Sequence, residues 1–120
     1  MLTANEYQAK AHQFAKYGGN VSYPFCGLAE EAGEALGKFA KFIRKHEGMD
    51  PVTAAGWETM QDDVAEFKID LKKELGDVLW MVAEIATTFD LELEQIMAGN
   101  LLKLDDRARR NVIIGEGDNR

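Results

Sequence analysis

Cysteine and histidine are scarce in this chain, and each scarcity argues against a kind of metal site. Cys26 is the one cysteine among 120 residues, so an internal disulfide and a zinc site of several thiolates are both excluded. Neither His12 nor His46 follows a glutamate by three residues. This argues against a di-iron carboxylate bundle, which needs Glu-x-x-His pairs. A metal site in this sequence is therefore expected to use carboxylate oxygens.

Long apolar runs and an excess of basic residues are also missing. No stretch approaches the ~18 apolar residues that a membrane span needs, and the first residues lack the charged-then-apolar pattern of a signal peptide. The 14 Lys and Arg residues stand against 21 Asp and Glu, for a formal net charge of -7. Binding to nucleic acid or to anionic membranes needs clustered positive charge instead. We therefore expect a cytoplasmic protein with no nucleic-acid partner and no membrane partner.

Proline is rare as well, and apolar residues recur at helical spacing with no convincing strand pattern. The predicted helices span residues 3–17, 27–45, 64–89 and 92–109. Pro24 disfavours helix in the residues just before it, so residues 21–26 are expected to form an extended linker. Whether the long connection at 46–66 contains a short helix of its own is left open.

The spacing of these helices predicts the fold class. Short connections favour antiparallel neighbours, so we expect an all-α protein, a four-helix antiparallel bundle. One domain is expected over residues 1–120, with 109–120 as a C-terminal tail. Its buried stripes are expected to include Leu36, Leu75 and Leu101. Because apolar residues crowd more than one face of the third helix, we expect association into a homodimer or homotetramer.

Two pairs of acidic residues lie beside the apolar stripes of neighbouring helices. Glu31 and Glu34 belong to the second helix, and Glu74 and Asp77 to the third. Residues three apart in a helix lie within about 60° of each other around its axis. If the two helices pack antiparallel, all four carboxylates can converge between them.

Converging carboxylates need a counter-ion. Two unit charges ~4 Å apart repel by about 4 kcal/mol at an effective dielectric constant of ~20. Either the four acids point into water or a cation holds them together. A site of carboxylate oxygens suits hard ions, of which Mg²⁺ or Mn²⁺ is the natural choice. Because Mg²⁺ also takes phosphate oxygens as ligands, the pattern indicates phosphate chemistry.

Cationic and amide side chains recur on one side of the fourth helix. Asn100, Lys103 and Arg107 follow each other at spacings of three and four, and Lys38 lies one turn beyond Glu34 on the second helix. Lys103 and Arg107 together offer a point charge and a bidentate fork to an anionic group. Each of these residues taken alone would be interpreted as an ordinary basic residue on the surface. The prediction of an anion-binding site therefore depends on their grouping.

Five motifs in order resemble those of the MazG-like all-α nucleotide pyrophosphohydrolases, and together they extend over almost the whole chain. They are "EYQAKA" at 6–11, "GLAEEAGE" at 27–34, "KELGDVLWMVAEIA" at 73–86, "NLLKLDDR" at 100–107 and "IIGEGDNR" at 113–120. The resemblance implies Mg²⁺-dependent hydrolysis of a (deoxy)nucleoside triphosphate at the α-β bond, giving monophosphate and pyrophosphate. Cleaning or control of a nucleotide pool is the implied role, with guanine nucleotides as one candidate.

The resemblance also implies roles for individual residues. Glu31, Glu34, Glu74 and Asp77 correspond to the catalytic metal ligands, which hold two or more ions, with one glutamate of the first pair as general base. The corresponding substrate-binding residues are Lys38, Asn100, Lys103 and Arg107. Glu30 departs from the family pattern, in which many relatives have a small residue, and it is left out of the metal set.

Two points stay open at this stage. Trp57 is the better candidate for a ring that stacks on a nucleobase. Tyr7 could also reach a base but is read equally well as a core residue, and for Trp80 a place in the core or an interface is favoured over a base contact. The alternative to an enzyme is a non-catalytic acidic helical-bundle interaction module, whose carboxylates would be solvated.

Overall fold

A computed structural model describes residues 1–118, and over this range the protein is all-helical without a strand, which confirms the predicted fold class. The elements are α1 (Ala4–His12), α2 (Ser22–Lys45), α3 (Pro51–Ala54), a 3-10 turn (Glu58–Met60), α4 (Gln61–Thr88) and α5 (Leu93–Arg109). None of these helices combines the length and the apolar character needed to cross a membrane.

The expected extended linker at 21–26 is wrong, because α2 begins at Ser22 and includes Pro24 in its first turn. The first N–H groups of a helix have no intrahelical acceptor, so a proline there removes no hydrogen bond. The first helix is shorter than predicted and ends at His12. Gly18 and Gly19 have positive φ angles of 62° and 78°, which turn the chain back towards α2.

Helices α2 and α4 form the central antiparallel pair of the molecule. Residues late in α2 contact residues early in α4: the rings of Phe42 and Phe67 are 5.6 Å apart. At the opposite end, a Cβ atom on Gly27 would overlap the sulfur of Met81. The Met81 side chain therefore packs directly against the backbone of Gly27, and a larger residue at position 27 would require this side chain to move.

The connection between α2 and α4 contains a short helix, which answers the open question about residues 46–66. Asp50 caps it by accepting a hydrogen bond from Thr53 N at 2.8 Å, and hydrogen bonds from Thr53 lower the pKa of the Asp50 carboxyl. Ala54 is fully buried against Phe42 and Val64. This cluster closes one end of the helix pair.

The N-terminus of helix α5 is bonded to side chains of α1. Gln8 Oε1 accepts a hydrogen bond from Leu93 N at 2.8 Å, and Asn5 Oδ1 accepts one from Glu94 N at 3.1 Å. These side chains of α1 satisfy N–H groups in the first turn of α5, which have no acceptor within the helix. The contact places the start of α5 beside α1.

Much of the predicted core is exposed in the single chain. Leu36 and Leu101 are each 68% exposed and Leu75 is 53% exposed, so their assignment to buried stripes is wrong for the single chain. The radius of gyration is 17.7 Å, whereas a compact chain of this length has about 14 Å. The long helices α2 and α4 bury the faces that contact each other, whereas much of their remaining apolar surface is exposed in the single chain. Closure of four helices around one core remains a prediction.

Glu84 is a buried acid that the sequence analysis missed. Its side chain is fully buried, and Oε2 accepts a hydrogen bond from Tyr17 OH at 2.7 Å. His12 Nδ1 lies 2.9 Å from the same oxygen. Glu84 is the one charged residue between positions 78 and 89, and that isolation was the available signal. It joins α4 to the end of α1 and to the following loop.

We expect Glu84→Ala to lower the free energy of unfolding by about 1–3 kcal/mol, because the partly buried Tyr17 hydroxyl loses its acceptor. Urea denaturation followed by circular dichroism measures this change. The matched control is Glu66→Ala, at an exposed position of the same helix, which should change stability by less than about 0.5 kcal/mol. Equal effects of the two substitutions would contradict a structural role for the Glu84 contacts.

Candidate functional site

Four carboxylates from α2 and α4 meet in one cluster, here called the acid cluster: Glu31, Glu34, Glu74 and Asp77. One carboxylate oxygen from each of Glu31, Glu74 and Asp77 lies within 4.8 Å of the other two. The Glu34 carboxyl lies beside that of Glu74, close enough for the two groups to share a proton. The spacing of three within each helix and the antiparallel packing of α2 on α4 together produce this convergence.

The acid cluster is electrostatically unfavourable without a cation. Burial raises the pKa of Glu31, and the charges of Asp77 and Glu34 raise it further. The pKa of Glu34 is raised by its hydrogen bond to Glu74 and by the charge of that residue. Both shifts mean that the folded protein holds protons on these groups more tightly than the unfolded chain does.

Lys38 supplies positive charge to the acid cluster. Its Nζ lies 3.5 Å from Glu74 Oε1, and its charge lowers the pKa of Glu34. One ammonium group offsets one of the four negative charges, so a net negative charge remains. Lys38 is thus the sequence-predicted cation that the fold brings to the carboxylates.

The arrangement fits a hard divalent cation. Mg²⁺ binds carboxylate oxygens at ~2.1 Å, so ligands on opposite sides of the ion are ~4.2 Å apart. Three oxygens that already lie within 4.8 Å of one another need only small side-chain movements to reach this geometry. A divalent ion would also offset the repulsion that raises the pKa values of Glu31 and Glu34.

Lys103 and Arg107 lie together on α5 but contact the C-terminal tail. The Asp118 carboxylate oxygen Oδ1 is 3.2 Å from Lys103 Nζ and 3.0 Å from Arg107 Nη2. These hydrogen bonds lower the pKa of the Asp118 carboxyl, that from Arg107 most. The two cations therefore hold one carboxylate oxygen between them, and their role in binding phosphate stays a prediction.

Unlike Lys38, these α5 residues are not bonded to the acids in the described part of the chain. Within residues 1–118, no hydrogen bond or ion pair joins Lys103 or Arg107 to the acid cluster. Asn100 is exposed on the same helix. Arg120, at the end of the tail motif, lies outside the described residues.

Comparison with known proteins identifies one family. The model of the MazG nucleotide pyrophosphohydrolase domain matches residues 25–112, a range that contains the acid cluster and the pair Lys103 and Arg107. The chain is also 38% identical, over 122 residues, to the Gene 37 protein of Mycobacterium phage L5. That alignment covers 95% of this chain and 96% of the phage protein. No solved structure matches the chain.

The raised pKa values predict how stability depends on pH and metal. Because the folded pKa values of Glu31 and Glu34 lie above their unfolded values, their contribution to stability falls as pH rises above about 4.3. At pH 7.5 a divalent ion at 100 times its Kd adds about 2.7 kcal/mol. We therefore expect 10 mM Mg²⁺ to raise the melting temperature by several degrees at pH 7.5 and much less at pH 4.5, where protons compete for the carboxylates.

Differential scanning calorimetry with EDTA and with Mg²⁺ measures both effects. Glu74→Gln should melt higher than the wild type in EDTA at pH 7.5, because it relieves repulsion, and it should lose the response to Mg²⁺. Glu66→Gln is the control and should respond as the wild type does. An equal Mg²⁺ response in both variants would show that the ion binds elsewhere.

Proposed function

This chain belongs to the family of MazG nucleotide pyrophosphohydrolase domains, and on this premise we propose that it hydrolyses a (deoxy)nucleoside triphosphate between the α and β phosphates. The products are the nucleoside monophosphate and pyrophosphate. The observation that carries the proposal is the convergence of the Glu31, Glu74 and Asp77 carboxylates. A non-catalytic acidic module would keep its carboxylates apart in water, whereas the Glu74 side chain is only 13% exposed.

We assign Glu31, Glu74 and Asp77 as ligands for Mg²⁺, with Mn²⁺ as a substitute. When bound there, the ion supplies positive charge to the phosphate oxygens and lowers the pKa of a bound water. The resemblance to the family implies two or more ions, and Glu34 offers a further carboxylate for this purpose.

Glu34 is also the best candidate for the general base. Its carboxyl adjoins that of Glu74, but it is not one of the three whose oxygens lie within 4.8 Å of one another. Glu34 is therefore the member of the first acidic pair that is left to accept a proton. Glu34 would take a proton from the water that attacks the α-phosphorus. Lys38, beside Glu74, would stabilise negative charge on the phosphates.

In this proposal, Lys103 and Arg107 of α5 act at the acid cluster of a second copy of the chain. We propose a homodimer or homotetramer in which Lys103 and Arg107 of one copy face the acid cluster of another. The apolar side chains Leu101 of α5 and Leu36 of α2 are both 68% exposed, and an interface would cover them. The negative acid cluster and the positive pair also complement each other. A substrate phosphate would then replace the Asp118 carboxylate between the two cations.

Product analysis tests the reaction. With Mg²⁺ and a panel of canonical and modified triphosphates, we expect the enzyme to release pyrophosphate first and not orthophosphate. Enzyme-coupled assays that separate pyrophosphate from orthophosphate measure it. Orthophosphate appearing first would contradict the proposed scissile bond.

Two variants separate the proposed roles within the acid cluster. Glu34→Gln should lower kcat by about 10²–10⁴-fold, the contribution of a general base, while keeping most of the Mg²⁺-induced rise in melting temperature. Glu74→Gln should lose both activity and that rise. Glu66→Gln should retain activity. If Glu34→Gln keeps wild-type turnover, Glu34 is not the base.

Mixing two variants tests whether a site draws on two copies. Lys103→Ala and Glu74→Gln are each expected to have low activity. In a co-refolded mixture, about half of the dimers combine one copy of each, and such a dimer has one site with intact acids and an intact lysine. Activity should therefore recover to about a quarter of the wild-type value. If the mixture is no more active than the mean of the two variants, Lys103 and Glu74 act within the same chain.

A further inference from the structure

The chain turns back on itself where α5 ends. Asn111 has a positive φ angle of 56°, and the N–H of Val112 donates a hydrogen bond to the carbonyl oxygen of Arg107 at 2.9 Å. Asparagine adopts this left-handed conformation more readily than most residues, and a hydrogen bond of this kind closes many helix C-termini. The following segment, residues 112–118, is here called the return segment, because it leads back to the side chain of Arg107.

Asp118 brings the return segment into contact with two cations of α5. Gly117, just before it, has a φ angle of 77°, a conformation that favours glycine. Asp118 Oδ1 accepts hydrogen bonds from Arg107 Nη2 at 3.0 Å and from Lys103 Nζ at 3.2 Å. The main-chain carbonyl oxygen of Asp118 accepts a further one from Arg107 Nη2 at 3.2 Å. The return segment therefore binds the cations through both its side chain and its backbone.

Arg107 is the buried partner in this contact, and Asp118 satisfies it only in part. Arg107 is 5% exposed, and its Nε atom has no hydrogen-bond partner among the described residues. A buried charge without a counter-charge is costly, so the guanidinium needs an anion beside it. An anion with several oxygens, such as a phosphate group, would engage Nε together with Nη2 as a bidentate ligand. Arg107 is therefore better suited to a phosphate than to the single carboxylate oxygen that it holds.

The return segment is held loosely enough for another anion to displace it. Residues 113–118 are all exposed, and the Asp118 side chain is 80% exposed. Little apolar surface is thus buried, and water screens the exposed side of the ion pairs. Hydrogen bonds from Arg107 and Lys103 lower the pKa of the Asp118 carboxyl. This carboxylate is therefore charged at neutral pH and competes with any other anion for the two cations.

We propose that the return segment is autoinhibitory: Asp118 occupies the anion site formed by Lys103 and Arg107 and has to leave before a phosphate group binds there. The same Nζ and Nη2 atoms serve both anions, so the two states exclude each other. The proposal rests on the pyrophosphohydrolase function proposed above and adds a regulation of its phosphate-binding residues. The ligands concerned are polyphosphates, namely the triphosphate of the substrate and the pyrophosphate product.

A tethered competitor has a defined effect on binding. Because only residues 112–118 separate Asp118 from the end of α5, its carboxylate acts as a ligand at an effective concentration on the order of millimolar. The apparent Kd of any other anion rises in proportion to the population of the occupied state. The return of Asp118 after hydrolysis would also favour the release of pyrophosphate from the cations.

Titration calorimetry with pyrophosphate tests the proposal without turnover. EDTA prevents a metal ion from linking pyrophosphate to the acid cluster, and about 150 mM salt screens distant charges. We expect Asp118→Asn to bind pyrophosphate about five- to tenfold more tightly than the wild type. The matched control is Glu116→Gln, which removes the same charge from an exposed position of the return segment and should bind as the wild type does. Equal affinities in the two variants would overturn the proposal.

A second variant, Gly117→Ala, releases the return segment while every charge is retained. A Cβ atom added to Gly117 meets no atom within 4 Å, but the φ angle of 77° is strained for alanine. The contact of Asp118 should therefore weaken, and we expect pyrophosphate to bind about three- to fivefold more tightly. Weaker binding in Gly117→Ala or in Asp118→Asn would show that the return segment helps to build the anion site, which would overturn autoinhibition.

Steady-state kinetics distinguish a failure of the return segment from a failure of the reaction. During triphosphate hydrolysis, Asp118→Asn should lower the inhibition constant of pyrophosphate about five- to tenfold, whereas Glu116→Gln should leave it unchanged. Hydrolysis with the same pyrophosphate inhibition in both variants would overturn autoinhibition and leave the proposed function intact. Tighter pyrophosphate binding by Asp118→Asn without hydrolysis of any triphosphate would support autoinhibition and overturn the proposed function.

Discussion

The repulsion among four carboxylates held between two helices is the constraint on which this molecule depends. Antiparallel packing of α2 on α4 brings Glu31, Glu74 and Asp77 together, with Glu34 beside Glu74. Lys38 offsets part of the charge, so the rest favours a divalent cation and, through it, phosphate ligands.

The other elements are arranged around this pair of helices. α1 lies against α4, where Tyr17 and His12 contact the buried Glu84, and it forms one wall of an aromatic groove beside Asp77. α5 starts at α1 and holds Lys103 and Arg107 against Asp118. The exposed apolar faces of α2, α4 and α5 are the surfaces through which a second copy would complete the proposed site.

The local sequence pattern was a good guide to which carboxylates converge and a poorer guide to which apolar residues are buried. The spacing of three within each acidic pair was enough to predict that the carboxylates of α2 and α4 converge. This convergence needs only the geometry of a helix and antiparallel packing of the two helices. Pro24 misled the prediction of the α2 start, since a first-turn proline sacrifices no hydrogen bond. Leu36 fits a helical stripe but is 68% exposed, because periodicity shows that a face is apolar and not which surface covers it.

From the sequence alone, the helices, the two acidic pairs, the grouped cations of α5 and the family resemblance were all accessible, since each depends on residues close together in the chain. The tertiary structure alone decided that Lys38 reaches Glu74, that Asp118 occupies the space between Lys103 and Arg107, that Glu84 is buried with Tyr17, and that an aromatic groove adjoins Asp77. These contacts join residues on different elements. Their distances follow from how the helices pack, which spacing along one helix does not specify.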